Sequence, residues 1–247
     1  MATTTTLRYS HPNVDASDAA KSFRWEKGVP VTPFWDGLDW VICTHFLRNF
    51  TPDQLPTLPI DASNSSNLTT KERTQLLLKI LQDKQRSSTS STTTTTSPSN
   101  SPEVTPEEAE TLLFSIHLLQ KNLGLVSAAG ESIRALVAAR GGDSAFQQTL
   151  AHQLIDEGKY AEAEAMIRPA CEEIDASGLG KNSPQGIGFQ RTLLEALWRQ
   201  GGGKRAEAEG VVREVEGRIE GMRGGRFEVY GDAEREELGR LLGELRG

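Results

Sequence analysis

Gly124, Ala129 and Ile133 return as Gly158, Ala163 and Ile167, each 34 residues further along the chain. Self-similarity at such a period marks a repeated supersecondary unit, and 34 residues accommodate two helices with their turns. The order of the three residue types fits an antiparallel helix pair. Glycine gives the backbone the freedom to leave the first helix, alanine lets the second come close, and isoleucine fills the space between them.

Helical patterning extends beyond the repeat. Thr105-Pro106-Glu107-Glu108 combines a capping hydroxyl, a first-turn proline and acids at the positive end of the helix dipole, and it leads into Leu112, Leu113, Ile116 and Leu119. Further helices are expected near 127–140, 144–157, 160–175, 187–200, 204–222 and 232–245, the last capped by Asp232. Upstream, Thr32-Pro33 sets up a helix of about 16 residues carrying Phe34, Leu38, Val41, Ile42, His45 and Phe46 at helical spacing. A second upstream helix starts after Thr69-Thr70, with Leu76, Leu77, Ile80 and Leu81 on one side. Between them the prolines and Asx/Ser cluster of PDQLPTLPIDASNSSN give a loop. No β-branched alternating run occurs, so the expected class is all-α. Residues 86–102, RSSTSSTTTTTSPSNSP, hold no large apolar side chain and read as a disordered Ser/Thr/Pro linker. They divide the chain into an aromatic-rich helical segment, 1–85, and a helical repeat domain, 103–247.

Across TLAHQLIDEGKYAEAEAMIRPA the sequence resembles the tetratricopeptide repeat (TPR). Leu150, Ala151 and Leu154 stand at the consensus Leu, small residue and Tyr of helix A. Gly158 ends that helix, and Ala163, Ile167 and Ala170 match the Ala, Phe and Ala of helix B. A third copy, RTLLEALWRQGGGKRAEAEGVV, keeps Leu193, Leu197, a turn glycine and Ala208, but its three-glycine turn is about two residues longer than usual. With those residues removed, about 43 separate the turns of the second and third copies, which is similar to kinesin-light-chain-type TPRs; Leu179-Gly180 and Ser183-Pro184 hold the places of that subclass's Leu-Gly and His-Pro. The first copy departs from the pattern by placing His117 where a small residue is expected. Over roughly 106–222 the resemblance implies a short right-handed α-solenoid, closed by a capping helix with Leu238, Leu241, Leu242 and Leu245 in one stripe. It also implies a job: binding an extended peptide or helix of a partner protein in the concave groove of successive A helices. The groove-facing candidates are Gln148, His152 and Gln153 in the second copy and Glu195 and Arg199 in the third; the same residues would also suit a solvated face. The basic clamp with which some TPR cochaperones grip heat-shock-protein C-termini is not expected, since its positions hold Phe114, Leu118, Thr149 and Thr192.

Charge narrows the partners. Residues 1–102 carry about +1 and residues 103–247 about −8, which disfavours a polyanion such as nucleic acid as ligand. The apolar runs are too short for a membrane span and the N-terminus lacks a secretory pattern, so cytoplasm or nucleus is expected. The four histidines, His11, His45, His117 and His152, are scattered without metal-ligand spacing, and GLGKNSPQGIG lacks the spacing of a phosphate loop. Neither metal, cofactor nor catalysis is expected, and His117 reads as a core residue. The competing reading is a small helical enzyme or regulatory subunit, which a closed pocket lined by perturbed histidines or carboxylates would favour. Phe23, Trp25, Phe34, Trp35, Trp40, Phe46 and Phe50 fall within 28 residues. They read as a docking face for the N-terminal segment, against the rival of an exposed partner anchor.

Overall fold

A computed structural model of the chain describes residues 7–8, 29–30, 32–51, 54–60, 67–90, 105–140 and 143–247. Among them are nine α-helices, three short 3-10 turns and one two-stranded pairing, so the described residues are all-helical apart from that strand pair. The chain forms two compact units, residues 1–132 and 133–247, whose border falls inside a helix. The expected division at 86–102 is not the one the packing follows: the helix after the Ser/Thr stretch belongs with the aromatic segment.

In the first unit β1 (Leu7–Arg8) pairs antiparallel with β2 (Val29–Pro30), Leu7 opposite Pro30. Helix α1 spans Trp40–Leu47, half the length expected from Pro33. Gly37 takes φ +70°, which no helix continues through. Asp39 then restarts the chain by accepting the amides of Val41 at 2.8 Å and Ile42 at 3.1 Å. The turn before it is held by Arg73, whose Nη1 donates to the carbonyls of Pro33, Phe34 and Asp36 at 3.0, 2.6 and 2.7 Å.

Helix α2 runs Thr70–Ser90, starting from a reciprocal Thr69–Glu72 cap. It continues past Gln85 into the expected linker. Ser87 and Ser88 fold their hydroxyls back onto the carbonyls of Asp83 and Lys84, both at 2.9 Å, and Arg86 pairs with Asp83. Hydroxyls that bond backward in this way are compatible with a helix end, whatever the composition says. The rest of that stretch, 91–102, lies outside the described residues, as do Phe23 and Trp25. Helix α3 (Pro106–Asn122) opens with the expected capping box between Thr105 and Glu108.

Helices α1, α2 and α3 share one core. Phe34, Trp35, Phe46 and Phe50 pack with Leu77, Leu81, Leu112, Ile116 and Leu119. The described aromatics of this segment are therefore mostly core; Trp40 is half-buried. His45 sits edge-on to Phe114 with ring centroids 5.1 Å apart, and burial, with Arg48 nearby, lowers its imidazole to about 4. His117, 1 % exposed, hydrogen-bonds through Nδ1 to the Ala129 carbonyl at 2.9 Å. It is a core residue, as its place on an apolar face suggests.

Helix α4 (Val126–Arg140) carries the border between units. The second unit continues with α5 (Ser144–Asp156), α6 (Tyr160–Ala176), α7 (Pro184–Gln200), α8 (Arg205–Glu220) and α9 (Gly231–Arg246). These bounds follow the expected ones closely. Differences arise at α7, which starts three residues early because Ser183 caps it and Pro184 takes the first turn, and at α9, where Asp232 lies in the first turn rather than at the cap. Glycines end the first helix of each pair: Gly124, Gly158 and Gly201 have φ +71°, +75° and +67°, a conformation that side chains with a Cβ resist. Gly201 is the turn glycine of the third pair, so its distance from Gly158 is the 43 residues that the sequence suggests once two glycines are set aside.

Sequential helices pack side by side, α5 on α6, α6 on α7 and α7 on α8, while α7 also touches α5 and α9. Ala151, Ala163, Ile167, Ala170, Ile187, Leu194, Ala196, Leu197, Ala208 and Val215 are fully enclosed. This contact order is consistent with a helical repeat.

Candidate functional site

The first helices of successive pairs, α5, α7 and α9, approach one another at backbone distance. Their partners α6 and α8 are bridged through long side chains instead. Arg168 of α6 pairs with Glu207 of α8, and Arg218 of α8 makes a two-pronged pair with Asp175 of α6 at 2.5 and 2.6 Å. The row α5, α7, α9 is thus the closer-packed side of the stack.

On that side the junction of α5 with α7 turns on Thr192. Its hydroxyl is buried, lies 3.0 Å from the Gly188 carbonyl and 3.0 Å from His152 Nε2, and accepts from Gln148 Nε2 at 3.3 Å. Gly188 faces the same junction, where a Cβ would lie 3.4 Å from Gln148 Nε2, an ordinary contact. One turn along α7, Glu195 and Arg199 form an i,i+4 pair at 2.8 Å. Toward α9, Arg191 pairs with Glu234. Burial raises the Glu234 carboxyl above its ordinary range although the Arg191 charge pulls the other way.

Of the five groove candidates, Gln148, His152, Glu195 and Arg199 thus lie along the α5–α7 row. Gln148 and His152 join the two helices as well as lining them. Gln153 does not belong to the set. It is 1 % exposed and donates to Glu157 at 3.2 Å, because one residue beyond His152 turns the side chain by about 100° into the core. Residues that the sequence did not single out for this face are Arg191, Gly188 and Glu234. A signal for the first two existed in the spacing of Gly188, Arg191, Thr192 and Glu195, which share one side of a helix.

On the opposite row Glu164 is the hub. Lys204, Gln200 and Arg168 donate to it at 2.8, 2.7 and 2.6 Å. Burial alone would raise its carboxyl, but these donors hold it down to about 2. The stability it adds is therefore full above the ordinary carboxylate range near 4.5 and drains away as pH falls from there toward 2. Glu164→Gln is expected to cost about 1 kcal/mol at pH 7, a figure reduced for the solvent around its partners, and clearly less at pH 2.5, where most but not all of that stability has drained away. Urea midpoints at the two pH values measure this, and an equal loss at both would mean that packing, not charge, is what the side chain contributes.

No group of three His, Cys, Asp or Glu among the described residues is arranged to hold a metal ion, and no described helix is long and apolar enough to cross a membrane. No protein-family model matches the chain, and no curated protein matches it.

Proposed function

We propose that residues 133–247 are a short stack of TPR-like helical hairpins that binds a peptide or helix of another protein along the α5–α7 row, without catalysing a reaction. The observation that carries this is the junction at Thr192, where Gln148 and His152 of one hairpin and Gly188, Glu195 and Arg199 of the next line one continuous strip. Amides, an imidazole and an ion pair in that arrangement suit an extended polar chain, whose own amides and carbonyls need partners at intervals along the strip. The side chains are preset by hydrogen bonds between helices, which lowers the ordering cost on binding.

Selection of peptides from a displayed random library against the full chain tests the reading. Peptides recovered are expected to lose roughly tenfold or more in affinity with Glu195→Ala or Arg199→Ala, truncations of an i,i+4 ion pair that lies outside the apolar core. Peptides that bind equally well to both variants and to Gln148→Ala would place the binding surface elsewhere.

A further inference from the structure

We propose that α9 is an exchangeable cap, able to leave α7 of its own chain and dock in the same place on α7 of a second copy, so that two chains form a dimer with exchanged helices. The docking contacts sit at the two ends and the middle of α9. Glu234 in its first turn meets Arg191, the Trp198 indole N–H donates to the Leu245 carbonyl in its last turn at 2.8 Å, and Leu238 and Leu241 are buried between. Helix α9 also packs on α8, so an exchange carries it off both helices, and none of these contacts depends on α9 being attached to the chain it covers.

The connection to α8 has a fixed part and a hinge. Asn182 Nδ2 donates to the Gly221 carbonyl at 3.1 Å, Met222 is buried, and Arg226 Nη2 donates to the carbonyls of Gly178 and Leu179, both at 2.7 Å, with its guanidinium over the Phe227 ring. From Phe227 to the start of α9 only the 3-10 turn Glu228–Tyr230 intervenes. A short hinge between two anchored parts is the arrangement that invites exchange of an element between copies. That hinge also carries Val229, 83 % exposed, and Tyr230, 40 % exposed. In an exchanged dimer the two hinges run beside each other, which gives these apolar side chains a cover that the single chain does not provide.

Helix α9 itself contains Gly231, Gly239 and Gly243, each unfavourable to a helix by about 1 kcal/mol relative to alanine. Its helicity thus leans on docking, and it belongs among the elements that open first.

Charge reversal across the α7–α9 contact provides the test, using the full chain. Arg191→Glu sets two carboxylates against each other, and Glu234→Arg sets two guanidinium groups against each other, whether α9 docks at home or in a homodimer. When the two variants are mixed, exchange alone restores both pairs: introduced glutamate against introduced arginine at one site, Arg191 against Glu234 at the other. Native mass spectrometry is expected to show a 1:1 heterodimer, its fraction roughly tenfold above the dimer fraction of either variant alone. A mixture that stays monomeric, or dimerises no more than its components, overturns the proposal. Removal of Glu228–Tyr230, which shortens the hinge by the whole 3-10 turn and so works against closure onto the same chain, is a second route to the same answer. It is expected to give a dimer, and a folded monomer there also overturns the proposal.

Discussion

Ala163→Arg is expected to abolish the cooperative unfolding transition of residues 133–247, a loss upward of about 4 kcal/mol. Ala163 is fully enclosed on α6, and Ala151 on the facing α5 is fully enclosed as well. A small side chain at such a contact sets how near two helix axes come, and arginine there adds both bulk and a cation with no carboxylate inside the core to meet it. The helices would have to part before the guanidinium could reach water, breaking the contacts of α6 with α5 and α7 together. Far-UV circular dichroism followed through a guanidinium titration measures this. An unchanged midpoint would mean that α5 and α6 do not meet at this residue, and the hairpin reading of the 34-residue repeat would fall with it. A loss of helix signal without added denaturant is the expected outcome.

The second unit was largely legible because its information is local. The recurring glycine, the alanine five residues on and the proline–hydroxyl caps each act within a few residues of themselves, and they mark the bounds of α5 to α8 to within about three residues. Where the sequence misled, a distant partner or a single backbone angle decides. The 16-residue helix expected from Pro33 is cut by the left-handed Gly37 and rebuilt from Asp39, while Arg73, some 40 residues away, fastens the leftover turn. The Ser/Thr stretch looks unstructured by composition, yet α2 runs on to Ser90, with the hydroxyls of Ser87 and Ser88 turned back onto the helix. In the candidate site the misassigned residue, Gln153, differs from a face residue by one step in the chain. In the sequence Thr192 stands out only as a position without a basic clamp residue, although its hydroxyl joins the two helices. The Arg191–Glu234 pair spans 43 residues, the same distance that separates Gly158 from Gly201, but α9 repeats none of the glycine and alanine pattern that marks the other copies.

Phe46→Ala is expected to cost about 4 kcal/mol of the stability of residues 1–132, near the middle of the range for emptying a large aromatic site. Phe46 is completely buried. Its ring lies 5.8 Å from that of Trp35 and 5.0 Å from that of Phe50, both in tilted arrangements, so the truncation removes ring contacts as well as buried area. Val41, on the same helix and 43 % exposed, is the comparison: Val41→Ala is expected to change stability by less than about 0.5 kcal/mol. Tryptophan emission through a urea titration reports the change directly, because Trp35 borders the emptied site. The two readings of the aromatic cluster diverge here. An exposed partner anchor would lose binding on truncation and keep its stability, whereas a core built from α1, α2 and α3 loses stability first. Equal unfolding midpoints for Phe46→Ala and the unaltered protein would take Phe46 out of the core and return the cluster to the surface.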